Sequence, residues 1–146
     1  FGAGLVAHLV LTKTVLGRYT FALGSNEEAT RLSGVNVDRW KIAVYALCGL
    51  FAGLAGILIG ARMTSAQPSV GLGYELDAIA AAVIGGTSLS GGEGSIVGTI
   101  IGAFIISTLT IGLSIVGVPD QWKLVITGVV VIGAVWLDIL RRRSRA

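Results

Sequence analysis

Charged side chains are scarce in this sequence. Asp, Glu, Lys and Arg make up 13% of its 146 residues, whereas soluble domains carry about 25%. Hydrophobic residues make up 53%, and the mean hydropathy is +0.84. This balance argues against a soluble globular fold and predicts a membrane protein.

Cysteine and histidine are almost absent. The sequence holds one Cys and one His. Cys48 lies in an apolar run, so no disulfide or metal site is predicted. His8 also lies in an apolar run, where an interior residue is a better interpretation than a metal ligand or a proton relay. No Ser/His pair, paired carboxylates or ligand cluster suggests catalysis, so we predict no catalytic residue, no metal and no cofactor.

Long uncharged runs predict membrane-spanning helices. Residues 42–61 form an uncharged run of 20 residues, which is enough to cross about 30 Å of hydrocarbon. Further spans are predicted at 76–92, 95–118 and 124–140. Residues 1–11 read as the end of a span whose start is missing. The predicted fold is therefore an all-α, polytopic transmembrane helical bundle with about four full spans.

Basic residues predict the orientation of these spans rather than nucleic-acid binding. Arg31, Arg39 and Lys41 place the polar segment 25–41 on the cytoplasmic side. The arginines at 141–143 and 145 place the C-terminus on the same side. An even number of crossings must separate the two, so residues 76–92 are predicted to cross although glycines interrupt them.

The polar segment 25–41 predicts a short capped helix before the first full span. Ser25 is a suitable N-cap, with Glu28 at the capping-box position. Glu27 and Arg31 have the spacing of a favourable i,i+4 ion pair, and Gly34 is suited to the left-handed position that ends a helix. We expect about eight helical residues, which are too few and too polar to cross a bilayer.

Glycine spacing predicts close helix packing. The pattern GxxxG occurs at Gly49/Gly53, Gly56/Gly60 and Gly98/Gly102, and small residues let helix backbones approach closely in a membrane. Residues 86–94 (GTSLSGGEG) lack the Lys of a phosphate-binding loop. They predict a helix break and a tight turn between two spans.

Hydroxyl side chains follow one another along the predicted span 95–118. They are Ser107, Thr108, Thr110 and Ser114. Two interpretations stay open at this point: the hydroxyls line a polar substrate path, or they donate hydrogen bonds to backbone carbonyls of their own helix.

Two long motifs in order resemble a known family. GRYTFALGSNEEATRLSGVNVDRWK resembles the cytoplasmic EAA-type loop of ABC-transporter permeases. ELDAIAAAVIGGTSLSGGEGSIVGTIIGAF resembles the hallmark stretch of ribose-type sugar permeases. The similarity extends from about Gly17 to the arginine tail. The chain is thus identified as similar to the C-terminal half of a permease subunit, with 1–146 forming part of one transmembrane domain.

The resemblance implies a function and a set of partners. The protein would be the membrane subunit of an ATP-driven importer in the bacterial inner membrane, carrying ribose or a related carbohydrate. Its partners would be ABC ATPase subunits, a second permease subunit (a homodimer), an extracytoplasmic solute-binding protein and membrane lipid, with no nucleic acid. The short helix would be the coupling helix that contacts the ATPase, through Glu27, Glu28, Ala29, Arg31, Leu32 and Gly34.

Two other functions fit parts of the sequence. One is an ion-coupled secondary transporter with a broken helix. Such a transporter usually needs charged groups inside the membrane, and no charged residue lies in the central part of a predicted span. The other is a membrane scaffold without transport activity. The sugar also stays open, because this chain has Thr110, Ile111 and Ser114 in a stretch where ribose-type permeases commonly carry Asn.

Overall fold

Every helix or strand assigned in the described part of the chain is an α-helix. The computed structural model describes residues 2–63, 71 and 73–143, with backbone alone for 120, 137, 138 and 140–143. The helices are α1 (Gly2–Lys13), α2 (Val15–Ser25), α3 (Glu27–Leu32), α4 (Val37–Arg62), α5 (Tyr74–Ile84), α6 (Ile96–Ile115) and α7 (Asp120–Arg143). The predicted all-α fold is confirmed over these residues. Two compact units divide the chain, Phe1–Leu72 and Gly73–Ala146.

The first unit begins with two helices joined at Thr14. The Thr14 hydroxyl donates to the carbonyl of Val10 at 2.6 Å and accepts from the N–H of Gly17 at 3.4 Å, which caps α2. Gly17 is buried, and a Cβ there would overlap the backbone of Leu11. A glycine is therefore required where α2 meets the end of α1.

Helix α4 is the longest helix among the described residues, and it begins within the polar segment. Asn36 caps it by accepting from the N–H of Arg39 at 3.2 Å. The 26 residues of α4 extend about 39 Å and contain the whole predicted span 42–61. The helix therefore joins the polar segment directly to an apolar stretch long enough to cross a membrane.

The second unit is built on the contact between α5 and α6. Ala80, Ala81 and Val83 of α5 and Ile106 of α6 are buried, and α5 also packs against α7. A Cβ on Gly102 of α6 would overlap the carbonyl oxygen of Ala81. The small residues let the two backbones meet, as the GxxxG spacing in α6 predicted.

The glycine pairs of α4 behave differently. A Cβ added at Gly49, Gly53, Gly56 or Gly60 meets no atom within 4 Å among the described residues. The predicted close packing is therefore confirmed for the Gly98/Gly102 pair, and the α4 pairs make no such contact inside this part of the chain.

The predicted break after α5 is present. Helix α5 ends at Ile84, and Gly86, Gly91 and Gly92 have φ values of +86°, +85° and +79°. These left-handed conformations suit glycine and turn the chain before α6. Ser95 then caps α6 by accepting from the N–H of Gly98 at 3.4 Å.

The predicted count of four full spans is not confirmed. Only α4 and α6, within the described residues, are long and apolar enough to cross a membrane; α1 and Gln121–Trp136 of α7 are shorter apolar helices. Helix α5 has 11 residues, about 16 Å, because the glycines at 85 and 86 end it well before residue 92. In the predicted cytoplasmic tail, Arg145 lies outside the described residues.

Candidate functional site

Helix α3 is a short capped helix between two longer ones. Its six residues run from Glu27 to Leu32. The Asn26 side-chain oxygen accepts from the N–H of Ala29 at 2.9 Å. At the other end, Gly34 has φ +84° and its N–H donates to the carbonyl of Arg31 at 3.1 Å. The left-handed ending predicted at Gly34 is confirmed.

The predicted start of this helix is wrong by one residue. Ser25 is the last residue of α2, and Asn26 is the N-cap. Asn26 has an extended backbone (φ −156°, ψ 101°), and its own N–H donates to the carbonyl of Ala22 at 3.0 Å. One residue therefore ends α2 and begins α3. Glu28 is consequently one position short of the capping-box site, and the helix has six residues instead of about eight.

Two ion pairs connect α3 to the start of α4. Glu27 Oε2 lies 2.7 Å from Lys41 Nζ, and Arg31 Nη2 lies 3.8 Å from Asp38 Oδ1. The predicted partner of Glu27 was Arg31. The actual partner is Lys41, because the turn after Leu32 folds α4 back beside α3. Sequence spacing within one helix carries no signal for such a pair.

The charges around Glu27 favour its ionised form. The hydrogen bond from the Lys41 side chain, followed by the positive charges of Lys41 and Arg31, lowers the pKa of Glu27 against an opposing effect of desolvation. Both side chains of the Glu27–Lys41 pair are 45% exposed. The pair is therefore a surface link that salt weakens.

A buried hydroxyl connects α3 to α2. Thr30 is 7% exposed. Its Oγ1 lies 2.8 Å from the carbonyl oxygen of Asn26 and 3.2 Å from that of Ala22. Thr30 could not be predicted from the sequence, since a Thr in a polar helix carries no distinguishing pattern.

The outward face of α3 carries the other residues of the predicted coupling set. Glu28 and Ala29 are exposed, and Leu32 is 84% exposed. The apolar i,i+3 pair of Ala29 and Leu32 is thus available to another molecule, with charged groups around it. Such an apolar pair with charged residues at its edge is suited to contact with another protein surface.

The hydroxyl residues of α6 lie on two faces. At about 100° per residue, Ser107, Thr110 and Ser114 fall within roughly 60° of one another, and Thr108 lies on another face. Thr108 borders an open apolar groove with Ile105 and Leu109. These positions do not form a single stripe of four.

Two of these hydroxyls bond to their own helix. Thr108 Oγ1 donates to the carbonyl of Phe104 at 2.8 Å, and Ser114 Oγ donates to that of Thr110 at 2.9 Å. Of the two interpretations left open by the sequence, hydrogen bonding to the helix backbone is therefore observed for Thr108 and Ser114. A hydroxyl that donates to its helix keeps acceptor capacity for a ligand.

The His, Cys, Asp and Glu side chains of the described part of the chain are the possible metal ligands. No group of three His, Cys, Asp or Glu side chains there is close enough to hold a metal ion. The lone His8 has an Nδ1 atom that is shielded from solvent and has no hydrogen-bond partner among the described residues.

Comparison with known proteins identifies the family. Residues 3–135 match the family described as branched-chain amino acid transport system / permease component. The chain is 58% identical over 134 residues to the ribose import permease protein RbsC of Escherichia coli, which covers 92% of this chain and 42% of that protein. No solved structure matches the chain.

Two further relatives have similar names. The ribose import permease protein of Bacillus subtilis is 52% identical over 142 residues, which is 97% of this chain and 44% of the relative. The xylose transport system permease protein XylH of Escherichia coli is 48% identical over 132 residues, which is 90% of this chain and 34% of the relative. The chain thus spans less than half the length of each of these relatives.

Both the family match and the apolar helices indicate a membrane protein. Permease relatives together with the long apolar helices α4 and α6 support a multi-pass protein of the inner membrane. The chain belongs to the permease-component family of branched-chain amino acid transport systems, whose members are transport components rather than enzymes.

Proposed function

We propose that this chain is part of the permease subunit of an ATP-driven sugar importer. The observation that carries the proposal is the 58% identity over 134 residues to a ribose import permease. Ribose, xylose or a related carbohydrate is the proposed substrate class, because the compared relatives are named for two pentoses. ATP hydrolysis would occur in a separate subunit.

Helix α3 is the proposed coupling helix. Leu32 and Ala29 form its exposed apolar contact, and Glu27, Glu28 and Arg31 surround that contact with charge. Docking into an apolar groove through anchors spaced i,i+3 is a common mode of helix recognition. Closure of two ATPase subunits would displace α3, and a rigid-body shift of the attached helices would alternate access to the sugar.

The proposed partners follow from this arrangement. They are a pair of ABC ATPase subunits at α3, a second permease copy and an extracytoplasmic solute-binding protein that delivers the sugar. The polar segment 25–41 and the C-terminus would face the cytoplasm. Residues 42–61, 76–92, 95–118 and 124–140 would cross the bilayer, with α5 completing its crossing through the non-helical residues that follow it.

The proposed sugar path runs along α6. Ser107, Thr110 and Ser114 share one face and are the principal candidates, while Thr108 beside the apolar groove is a secondary one. Hydroxyl groups that both donate and accept hydrogen bonds are suited to a polyhydroxy solute. Such groups allow weak, successive contacts without a fixed charge.

A complete transporter that contains this chain provides the test. It is reconstituted with its ATPase subunits and binding protein in liposomes, and uptake of radiolabelled ribose and ATP hydrolysis are measured together. Leu32→Asp removes the apolar contact, and Leu32→Ile is the matched control. We expect Leu32→Asp to lower uptake at least tenfold while the permease still folds, because a central apolar anchor contributes about 2 kcal/mol or more to docking.

Two results would contradict the proposal. Unchanged ATP-dependent uptake in Leu32→Asp would remove α3 from coupling. Uptake driven by an ion gradient without ATP would replace the importer with a secondary transporter.

A further inference from the structure

A single extended residue separates α2 from α3. Asn26 is the only residue between Ser25 and Glu27, and it has non-helical backbone angles. A joint of this kind between two helices is a natural hinge, because one residue absorbs the change in direction. A displaced α3 would rotate about Asn26 unless other contacts held it.

The buried side chain of Thr30 contacts both sides of this joint. Its hydroxyl lies within hydrogen-bond distance of two carbonyls, that of Asn26 at the joint and that of Ala22 in the last turn of α2. The Asn26 N–H donates to the same Ala22 carbonyl at 3.0 Å. The Ala22 carbonyl thus lies near donors from both the joint and α3, and Thr30 is nearly inaccessible to solvent.

We propose that Thr30 is a positioning residue that fixes the angle between α2 and α3, so that displacement of α3 reaches α2 as well as α4. The inference rests on the proposed coupling role of α3. Thr30 is buried and does not lie on the exposed face of α3 that is proposed to contact the ATPase. Its role would be to hold α3 in position. Two kinds of side-chain contact therefore connect α3 to its neighbours: a buried hydroxyl toward α2 and exposed ion pairs toward α4.

The two routes differ in physical character. The ion pairs Glu27–Lys41 and Arg31–Asp38 are exposed, so salt screens them. The Thr30 hydrogen bonds are part-buried and involve no charge, so salt leaves them largely unchanged. At high ionic strength the Thr30 route should carry a larger share of the coupling.

The test compares variants at Thr30 in the reconstituted transporter. Thr30→Val keeps the shape and removes the hydroxyl, whereas Thr30→Ser keeps the hydroxyl. Thr20→Val is the matched control, because the Thr20 hydroxyl donates only within α2, to the carbonyl of Leu16 at 2.8 Å. The measured quantity is ribose transported per ATP hydrolysed, at about 0.1 M salt and about 0.5 M salt.

A second readout separates docking from transmission. A cysteine at Leu32 (Leu32→Cys) reports contact with the ATPase by cross-linking. We expect Thr30→Val to lower ribose transported per ATP by threefold or more, with a larger loss at the higher salt concentration and an unchanged cross-linking yield. Thr30→Ser and Thr20→Val should retain at least half of the original ratio.

The possible outcomes separate a failure of the positioning role of Thr30 from a failure of the coupling role of α3. Absence of any Leu32→Cys cross-link in the otherwise unmodified transporter would overturn the coupling role of α3 itself. Normal cross-linking with an unchanged ratio in Thr30→Val would overturn only the positioning role. If Thr30→Val does not assemble, Thr30→Ala makes the same test with no methyl beside the carbonyls; failure of both to assemble would assign the hydroxyl to folding and overturn the inference.

Discussion

The aromatic ring of Tyr19 in α2 lies 4.6 Å from that of Trp40 in α4, centroid to centroid, at an interplanar angle of 42°. Both side chains are half-buried. Trp40 directly precedes Lys41, the ion-pair partner of Glu27. The ring contact therefore joins α2 and α4 beside the point where α3 is attached to α4, and it makes the three helices one connected group.

The ring contact should be measurable as a coupling energy. We expect Tyr19→Leu and Trp40→Leu to destabilise the protein non-additively, with an interaction of about 0.5–1.5 kcal/mol, as for other tilted aromatic pairs. Denaturant unfolding in detergent of both single variants and the double variant gives this value. Tyr45→Leu, at a ring that is 75% exposed, paired with Trp40→Leu is the control cycle. Additive losses in the Tyr19 cycle would contradict the contact.

The cap of α3 gives a test that distinguishes neighbouring residues. Asn26→Ala removes the side-chain acceptor for the Ala29 N–H and should cost about 1 kcal/mol. Ser25→Ala changes a residue inside α2 and should stay within about 0.5 kcal/mol. Hydrogen exchange of the α3 amides measures the difference. Faster exchange in Ser25→Ala than in Asn26→Ala would restore Ser25 as the cap.

Glycines in α4 and α6 should respond oppositely to alanine. At Gly98 an added Cβ overlaps the backbone of Gly85, whereas at Gly53 it meets no described atom within 4 Å. Overpacking should destabilise Gly98→Ala by about 1–3 kcal/mol. In Gly53→Ala the better helix propensity of Ala should leave stability equal or slightly higher. Thermal unfolding of the two variants measures the difference in stability. Equal losses of stability in Gly98→Ala and Gly53→Ala would contradict this prediction.

The sequence carried enough information for the helical class and for local signals. The uncharged run at 42–61, the helix end at Gly34 and the break after α5 were predictable, because apolar length and glycine conformation act locally. The partner of Glu27 was not predictable, since the pair with Lys41 depends on the turn between α3 and α4. Ser25 and Asn26 are both good N-cap residues, so the sequence could not choose between them.

The polar set on α6 shows the same limit. Ser107, Thr108, Thr110 and Ser114 are close in sequence, yet the helical period moves Thr108 to the face of the apolar groove. The role of Thr30 was also out of reach, because its burial depends on how α2 ends. Local sequence signals predicted where the helices and turns lie. The contacts between helices could be identified only from the three-dimensional structure.

Acid should remove the Glu27–Lys41 link, because protonation of the Glu27 carboxylate removes its negative charge. The Lys41 hydrogen bond and nearby positive charge hold the pKa of Glu27 below its ordinary value of about 4.5. A lowered pKa in the folded state means that the stabilisation is fully present above the unfolded value and is lost as the pH falls through the folded value. We therefore expect the stability difference between the unmodified chain and Glu27→Gln to be constant from pH 7 to about pH 5 and to shrink below that.

Thermal unfolding across this pH range, at low and high salt, measures the difference. At neutral pH, high salt should reduce the stability difference between the unmodified chain and Glu27→Gln. Acid should reduce the same difference, because both weaken one exposed ion pair. Lys41→Met removes the other partner and should raise the pKa of Glu27 toward its ordinary value, so the pH dependence should be smaller in that variant. Glu28→Gln, at an exposed carboxylate of the same helix, is the control and should leave the Glu27–Lys41 ion pair in place. A stability difference for Glu27→Gln that grows as the pH falls would contradict the assignment, since the link would then favour the protonated acid.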